Sequence, residues 1–195
     1  VGGAVPIARG AAIYKRSNKK KGIVVANFGD GACGRGPVLE AMNISAMDQK
    51  KQLWGTTETG NTPGLPLLFN IFDNFYGMGG QTMGETMAFG MPARIGAGVN
   101  PDEMHSERVN GYNPFAVIDA VSRKKELLLA GEGPAMLDVV TYRTTGHSPS
   151  DSSTYRTPEE IEEWKEACPI KAYKEKLILG GVATSEEFDA IDEVI

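Results

Sequence analysis

The chain has 195 residues, of which 41% are hydrophobic and 23% are charged, which is ordinary for a soluble globular protein of one or at most two domains. A formal net charge of −5 gives no reason to expect a nucleic acid partner, and no apolar run reaches the roughly 18 residues of a membrane span. Two distant cysteines, Cys33 and Cys168, do not form a disulfide framework, which favours a reducing compartment. The one basic cluster, at Lys15, Arg16 and residues 19–21, is expected to be a solvated loop.

The first half of the chain alternates helical and strand patterns. Small and aliphatic residues predict a helix over residues 4–14, and an apolar run without alternation predicts a strand over 22–28 that is covered on both faces. Pro37 is expected to open a second helix, because proline is favoured in the first helical turn. Residues 48–66 show no period and predict a loop or insertion, whereas the apolar residues 65–72 predict a second buried strand.

The second half continues this alternation after a glycine- and methionine-rich segment over residues 78–100, which predicts irregular structure with one short helical turn. The remaining predicted elements are a turn at Asn110-Gly111, a helix over 114–130, a buried strand over 135–141, a polar loop over 144–157, and helices over 158–167, 171–179 and from 184. Strands that alternate with helices predict an α/β fold, with a mostly parallel sheet and helices on both faces.

Polar side chains with oxygen atoms follow the first two predicted strands. Asp30 follows the strand over 22–28 between two glycines, and Asn74 follows the strand over 65–72. If the two strands are neighbours in a parallel sheet, both side chains reach the edge where open α/β sheets bind ligands. With a nearby backbone carbonyl they would suit Mg²⁺, which completes its octahedron with phosphate oxygens and water. The pattern therefore predicts a site for a metal and a diphosphate.

Two other interpretations of the Gly29-Asp30-Gly31 turn stay open at this point. Asp30 could simply cap the helix that follows the turn. Residues 29–34 also fit the G-x-G-x-x-G pattern of dinucleotide-binding folds. That match is weak, because Asp30 would bring negative charge toward a pyrophosphate and the acid expected about 20 residues later is missing, with Lys50 in the corresponding stretch.

Several motifs in a fixed order resemble the α subunit, or α half, of the E1 component of 2-oxo acid dehydrogenase complexes. Gly-Asp-Gly followed by a strand that ends in an asparagine is similar to the thiamine diphosphate motif of that family. The similarity runs nearly from end to end of the chain. The segments that show it are residues 1–6, 29–32, 74–78, 133–134, 141–148, 151–157 and 162–170.

The resemblance implies a site for thiamine diphosphate and Mg²⁺. Asp30 and Asn74 would bind the metal through their side chains, and Tyr76 would bind it through its backbone carbonyl. His147 would contact the diphosphate and is the one residue expected in a catalytic role. The other implied cofactor contacts are Val1, which would pack on the aminopyrimidine end, and Gly29, Gly31, Ala32 and Gly77 along the diphosphate.

The chain departs from the family pattern in four places. Asp73-Asn74 stands where the family usually has Asn-Asn, but the ligand is the second residue, so metal binding is expected to survive. Asp30 and Asn74 are further apart than the roughly 30 residues of one βαβ step, and residues 47–66 hold the surplus. Gly34-Arg35-Gly36 replaces the acidic sequence common after the turn. The N-terminal portion of the family domain, including an aromatic–arginine pair, is expected to be missing.

The resemblance also implies an activity and partners. The family decarboxylates a 2-oxo acid, such as pyruvate or a branched-chain acid, and transfers the acyl group to a lipoyl group on a partner acyltransferase, E2. The acid that activates the aminopyrimidine comes from the β subunit or a fused β half, and no acid in this chain matches it. We therefore expect no turnover by this chain alone. An acetoin-cleaving dehydrogenase α subunit and a non-catalytic assembly half are the alternatives.

Residues 1–195 are expected to form a single domain with two distinctive segments. Residues 144–157 should be mobile until the cofactor binds, because this polar loop offers few apolar anchors. Residues 158–195 are expected to form a C-terminal helical extension. The resemblance implies a cytoplasmic protein in a bacterium or archaeon, and a protein of the mitochondrial matrix in a eukaryote.

Overall fold

The structure is a computed structural model that describes residues 2–49, 54 and 63–194. Four parallel strands form one sheet in the order β1-β2-β4-β3. The strands are β1 (Val24–Gly29), β2 (Leu67–Asp73), β3 (His105–Asn110) and β4 (Ala135–Val140). The predicted α/β fold with a parallel sheet is confirmed. β3 was missed, because its sequence is polar and only the turn that follows it was recognised.

Helices cover both faces of this sheet. Three helices pack on one face around the larger apolar core, which includes Val5, Met42 and Phe69: α1 (Ala4–Ser17), α2 (Gly36–Ser45) and α3 (Ala93–Val99). The opposite face is covered by α4 (Pro114–Ala130), which packs on β2, β3 and β4 around a second core that includes Leu68 and Leu137. Gly131 ends α4 in the left-handed conformation that favours glycine. Predicted helix boundaries agree with the observed ones to within a few residues.

The prediction that the first strand is covered on both faces is wrong for the described part of the chain. Burial alternates along β1, where Ala26 and Phe28 are buried while Val25 and Asn27 are exposed. The reason is that β1 is an edge strand, and α4 packs over the other three strands. Phe72 on neighbouring β2 is consequently 43% exposed. An apolar run alone does not distinguish a central strand from an edge strand.

Three helices follow the sheet: α5 (Pro158–Glu166), α6 (Pro169–Leu179) and α7 (Ser185–Asp192). Thr157 caps α5 by accepting a hydrogen bond from the Glu160 N–H, and Thr184 and Glu187 form a capping box at the start of α7. In the part of the chain that is described, none of the helices is both long and apolar enough to cross a bilayer. Most of the predicted insertion over 47–66 lies outside the described residues.

Candidate functional site

The sheet brings the ends of the first two strands together at one edge. In the parallel register of β1 and β2, Gly29 is aligned with Phe72. The chain leaves β1 through Asp30, in a short 3₁₀ turn over Asp30–Ala32, and leaves β2 through Asn74. Carboxyl ends of parallel strands are where α/β sheets bind ligands. The predicted proximity of the two segments is therefore present in the structure.

Asp30 is almost completely buried, at 1% exposure, and its carboxylate accepts a hydrogen bond from the Thr82 hydroxyl at 2.6 Å. Burial raises the pKa of Asp30, and the bond from Thr82 offsets part of that shift. The hypothesis that Asp30 caps the next helix is wrong, because α2 begins six residues later with Arg35 at the N-cap. A buried carboxylate without a structural capping role is a candidate ligand for a cation.

The segment 74–77 folds into a tight loop beside Asp30. The Asn74 side-chain oxygen accepts a hydrogen bond from the Tyr76 N–H at 3.1 Å, and the Phe75 carbonyl accepts one from the Thr82 N–H at 2.9 Å. A Cβ added to Gly31 would lie 3.7 Å from the Gly77 Cα. The two glycine-containing turns therefore approach each other closely, with the Thr82 side chain beside both glycines.

Arg143 ties the loop after β4 to this segment. Its guanidinium donates hydrogen bonds to the Tyr76 carbonyl at 3.4 Å and to the Gly77 carbonyl at 3.1 Å. The same guanidinium lies 3.3 Å from the His147 Nδ1 atom, and the His147 N–H donates to Asp151 at 2.8 Å. His147 is exposed, so its imidazole is available to a ligand at this edge. The sequence analysis did not single out Arg143, whose role depends on a contact 67 residues away.

An aromatic cluster holds α5 against the same loop. Tyr76 and Tyr142 both donate hydroxyl hydrogen bonds to Glu160, at 2.7 and 2.9 Å. The Trp164 ring stacks on the Tyr142 ring with centroids 4.8 Å apart and planes 3° apart. Burial and the neighbouring Glu160 carboxylate raise the pKa of Tyr76, so it remains a neutral donor. The helix at 158–166 is thus in direct contact with the candidate site.

Arg156 anchors the end of the 144–157 loop in this cluster. Its guanidinium lies between 5.3 and 5.4 Å from the ring centroids of Tyr76, Tyr142 and Tyr155. It also donates to the carbonyls of Arg143 and Thr145. Residues 147–150 of the loop are exposed. The predicted mobility of this loop before cofactor binding stays a prediction.

A second layer of charge lies directly behind the predicted ligands. Asp73 and Asp138 are buried, and the Arg108 guanidinium lies 3.2 Å from a carboxylate oxygen of Asp73 and 3.7 Å from one of Asp138. Burial and the negative charges of Asp138 and Asp30 raise the pKa of Asp73 to about 7. Burial also raises the pKa of Asp138. Both residues, and Asp30, contribute to a raised pKa of the buried Cys33 thiol, after burial itself.

This carboxyl cluster was only partly visible in the sequence. Asp73 was noted as a departure from the family pattern, whereas Asp138 and Arg108 were missed. An available signal was the single acid in the otherwise apolar run that forms β4, since an unpaired charge is rarely buried.

Of the predicted site residues, Val1 lies outside the described residues. The structure brings the others to one sheet edge: Gly29, Asp30, Gly31, Ala32, Asn74, Tyr76, Gly77 and, through Arg143, His147.

Comparison with known proteins identifies the family. The family described as "Dehydrogenase E1 component" matches residues 1–195. The chain is 34% identical over 197 residues to the pyruvate dehydrogenase E1 component subunit alpha type I, mitochondrial, of Ascaris suum, covering 100% of this chain and 44% of that protein. It is 36% identical over 195 residues to the mitochondrial pyruvate dehydrogenase E1 subunit alpha of Chaetomium thermophilum, covering 99% and 42%.

A bacterial relative, the pyruvate dehydrogenase E1 component subunit alpha of Rickettsia bellii, is 30% identical over 195 residues, which cover 100% of this chain and 54% of that protein. The chain therefore spans about half the length of the curated relatives that it matches. The family match covers the whole chain, including the strand ends and the loops that form the candidate site. The chain belongs to the dehydrogenase E1 component family.

Proposed function

We propose that this chain is the α part of a 2-oxo acid dehydrogenase E1 and that it holds the diphosphate end of thiamine diphosphate together with Mg²⁺. The observation that supports this most directly is that the chain leaves the adjacent ends of β1 and β2 through Asp30 and Asn74, with the Tyr76 N–H bonded to the Asn74 side-chain oxygen. The relatives named pyruvate dehydrogenase E1 subunit alpha favour this function over an acetoin-cleaving dehydrogenase or a non-catalytic assembly half.

The donor atoms at the site fit the proposed metal. One carboxylate, one amide oxygen and one backbone carbonyl are hard oxygen ligands, which Mg²⁺ prefers, and phosphate oxygens and water would complete its coordination. A single bound carboxylate leaves positive charge on the metal to neutralise the diphosphate. Gly31 and Gly77 approach each other closely, beside the Thr82 side chain, so a side chain at either glycine would crowd the space proposed for the diphosphate. The cofactor, when bound, supplies the carbanion and the electron sink for decarboxylation.

The residues of this chain bind and orient rather than transfer protons. We expect His147 to donate a hydrogen bond to the diphosphate; its exposed imidazole and the Arg143 guanidinium 3.3 Å from its Nδ1 atom support this. The cavity next to the 74–77 loop, lined by Asp73, Tyr76 and Thr82 among others, has a volume of about 250 Å³. Asp30, Asn74 and His147 are not among the described residues that line this cavity, so it adjoins the proposed diphosphate site rather than forming it.

The partner of this chain is proposed to be the E1 β subunit or a fused β half, with a lipoyl-bearing E2 as the acyl acceptor and a small 2-oxo acid, pyruvate or branched-chain, as substrate. No acid of this chain matches the family residue that activates the aminopyrimidine. The proposal therefore takes that acid from the β subunit or β half. The relatives from Ascaris suum and Chaetomium thermophilum are named as mitochondrial, whereas the name of the Rickettsia bellii relative gives no location. We propose a location in the mitochondrial matrix if the source is a eukaryote, and in the cytoplasm if it is a bacterium or archaeon.

The test is Mg²⁺-dependent binding of thiamine diphosphate to the full-length protein with its β partner. Asp30→Asn keeps the size and the bond to Thr82 but removes the charge, and Asn74→Ala removes the amide oxygen. Each is expected to weaken cofactor binding by about tenfold or more, since metal-site substitutions commonly have effects of that size. Asp102→Asn and Asn43→Ala, both at exposed positions, are the matched controls. Unchanged affinity in both site variants would overturn the proposal.

A further inference from the structure

A basic cavity lies at the opposite edge of the sheet from the candidate site. It has a volume of about 580 Å³, and its lining residues come from the end of α1, the loop before β1, the segment before β2 and the end of α4. The strand β1 separates the two edges, and its six residues span about 20 Å at the usual rise per residue. The cavity is therefore distinct from the proposed diphosphate site.

Five cationic side chains line this cavity, and the residues described along its wall include no acid. They are Lys15, Arg16, Lys19, Lys20 and Lys21. The sequence predicted a solvated loop for this cluster, but the structure places Lys15 and Arg16 in the last turn of α1 and gathers all five around one space. In the described part of the chain, none of the five forms a salt bridge with an acid.

Two backbone contacts fix two of the five basic side chains, those of Lys15 and Arg16, while Lys19, Lys20 and Lys21 are exposed. The Lys15 ammonium donates to the Lys21 carbonyl at 2.7 Å, which folds the loop back onto the helix. The Arg16 guanidinium donates to the Gly64 carbonyl, while its buried Nε atom has no hydrogen-bond partner within the described ranges. Burial lowers the pKa of Arg16, as expected for a partly buried cation without a counter-charge.

The simpler explanation is that Lys15 and Arg16 merely stabilise the negative end of the α1 dipole. The C-terminal ends of α1 and α4 both lie here, and each is equivalent to about half a negative charge. The five cations carry five positive charges, and the two helix ends together carry about one negative charge. About four positive charges remain, which is far more than capping requires. An excess of this size in a concave space raises the local concentration of anions.

The rest of the wall is apolar and includes an aromatic ring. It is formed by Trp54, Pro63, Pro66, Leu128 and Leu129. An apolar wall beside charged side chains is the usual construction of a small-molecule site, and the volume of this cavity falls in the range of such sites. An indole is also a suitable partner for a planar ring.

We propose that this cavity binds a phosphate-bearing small molecule with an aromatic ring, such as a nucleoside diphosphate, whose phosphates lie against the lysine and arginine cluster and whose ring lies against Trp54 and the prolines. The site is separate from the one that would hold Mg²⁺ and thiamine diphosphate. It is therefore a candidate second ligand site on the protein.

Calorimetric titration of the full-length protein in its native assembly tests this, with ADP as probe and EDTA present. EDTA prevents metal-bridged binding of a diphosphate at the other edge, so the outcome does not depend on the proposed function. Saturable binding of ADP is expected. Lys20→Glu with Lys21→Glu should weaken it by about tenfold or more, because two attractive charges become repulsive. Lys171→Glu with Lys176→Glu changes the net charge equally at exposed positions and should leave affinity within about twofold.

The variant Trp54→Ala and a second probe, pyrophosphate, which has no aromatic ring, separate the contribution of the ligand's ring from that of its phosphates. Trp54→Ala should weaken ADP binding and leave pyrophosphate binding unchanged, and wild type should bind pyrophosphate more weakly than ADP. Circular dichroism and the melting temperature verify that each variant is folded. The proposal is overturned if ADP shows no saturable heat, if both charge-reversal variants bind ADP equally, or if pyrophosphate binds as tightly as ADP.

Discussion

Asp73 shows how a single residue at the strand end changes the electrostatics of the whole edge. It is 1% exposed and adds a third carboxyl group to Asp30 and Asp138, with Arg108 as the one cation that contacts Asp73 and Asp138 in the described structure. Three buried carboxylates beside one guanidinium cannot all be charged at low cost. Burial and the charges of Asp138 and Asp30 accordingly raise the pKa of Asp73 to about 7.

Asp73→Asn is predicted to change the pH dependence of stability. Folding raises the pKa of Asp73 from 3.8 to about 7, so its favourable contribution is complete below about pH 4 and is lost as the pH rises through about 7. The free energy of unfolding of the variant relative to wild type should therefore increase from pH 4.5 to pH 8, by about 1 kcal/mol or more. Urea denaturation of the full-length protein at both pH values measures this. A difference that stays constant with pH, as expected for the control Asp102→Asn, would contradict it.

At the scale of elements, the contact between α3 and β3 depends on a glycine. A Cβ on Gly96 would lie 1.7 Å from the Ser106 Oγ and 2.7 Å from the Met104 Cγ. The helix therefore lies as close to the chain at the start of β3 as the absence of a side chain allows. Gly98 in the same helix has open space around it, since a Cβ there would meet no atom within 4 Å.

These two glycines give opposite predictions for the same substitution. Gly96→Ala should lower the free energy of unfolding by about 1–3 kcal/mol, because the helix must move away from β3. Gly98→Ala should raise it by about 0.5–1 kcal/mol, because alanine favours the helix and nothing is displaced. Thermal or urea denaturation of both variants measures the pair. Equal effects would show that packing at Gly96 does not limit the approach of the helix.

Glu107 joins β3 to α4 through two basic residues. Its carboxylate accepts a hydrogen bond from Arg123 at 2.7 Å and lies 3.2 Å from the Lys124 ammonium, whose side chain is only 10% exposed. The bonds from Arg123 lower the pKa of Glu107 to about 2, with smaller contributions from Lys124. The polar sequence of β3 is thus explained by a charge pairing with the helix above it, which sequence periodicity does not reveal.

Glu107→Gln is predicted to destabilise the fold by about 1–2 kcal/mol at pH 7, because it leaves Lys124 buried without its counter-charge. Since folding lowers the pKa of Glu107, its contribution is present above about pH 4.5 and is lost as the pH falls through about 2. The difference between variant and wild type should shrink over that window. Glu162→Gln, which breaks an exposed pair with Lys165, is the control and should change stability by less than about 1 kcal/mol. An E107Q effect no larger than that of E162Q would count against the pairing.

At the scale of the whole molecule, α5 couples the C-terminal helices to the proposed cofactor edge. Trp164 contacts the rings of Tyr142, Tyr112 and Phe75, and Glu160 accepts from two tyrosines of the same cluster. The loop over residues 144–157 runs between Tyr142 and α5, so its two ends are held while residues 147–150 are exposed. Docking of α5 and order of the loop should therefore change together.

Trp164→Ala is predicted to loosen both segments. Loss of the stacked and edge contacts should weaken docking of α5 by about 1–3 kcal/mol and speed hydrogen exchange over residues 144–166. Hydrogen exchange by mass spectrometry on the full-length protein measures this, and Leu179→Ala, at a residue 90% exposed, is the control. Adding Mg²⁺ and thiamine diphosphate should slow exchange of the loop in wild type. Exchange that stays the same in W164A would show that the loop is ordered independently of α5.

The sequence by itself determined the order and type of most elements, because hydrophobic period, proline and glycine act within a few residues. It also located Asp30 and Asn74, since a polar residue after a buried strand has a fixed place at the sheet edge. Only the tertiary structure decided that β1 is an edge strand, that Asp138 and Arg108 stand behind Asp73, and that Arg143 joins His147 to the 74–77 loop. These features depend on the order of strands and on contacts between distant residues, about which local patterns contain no information.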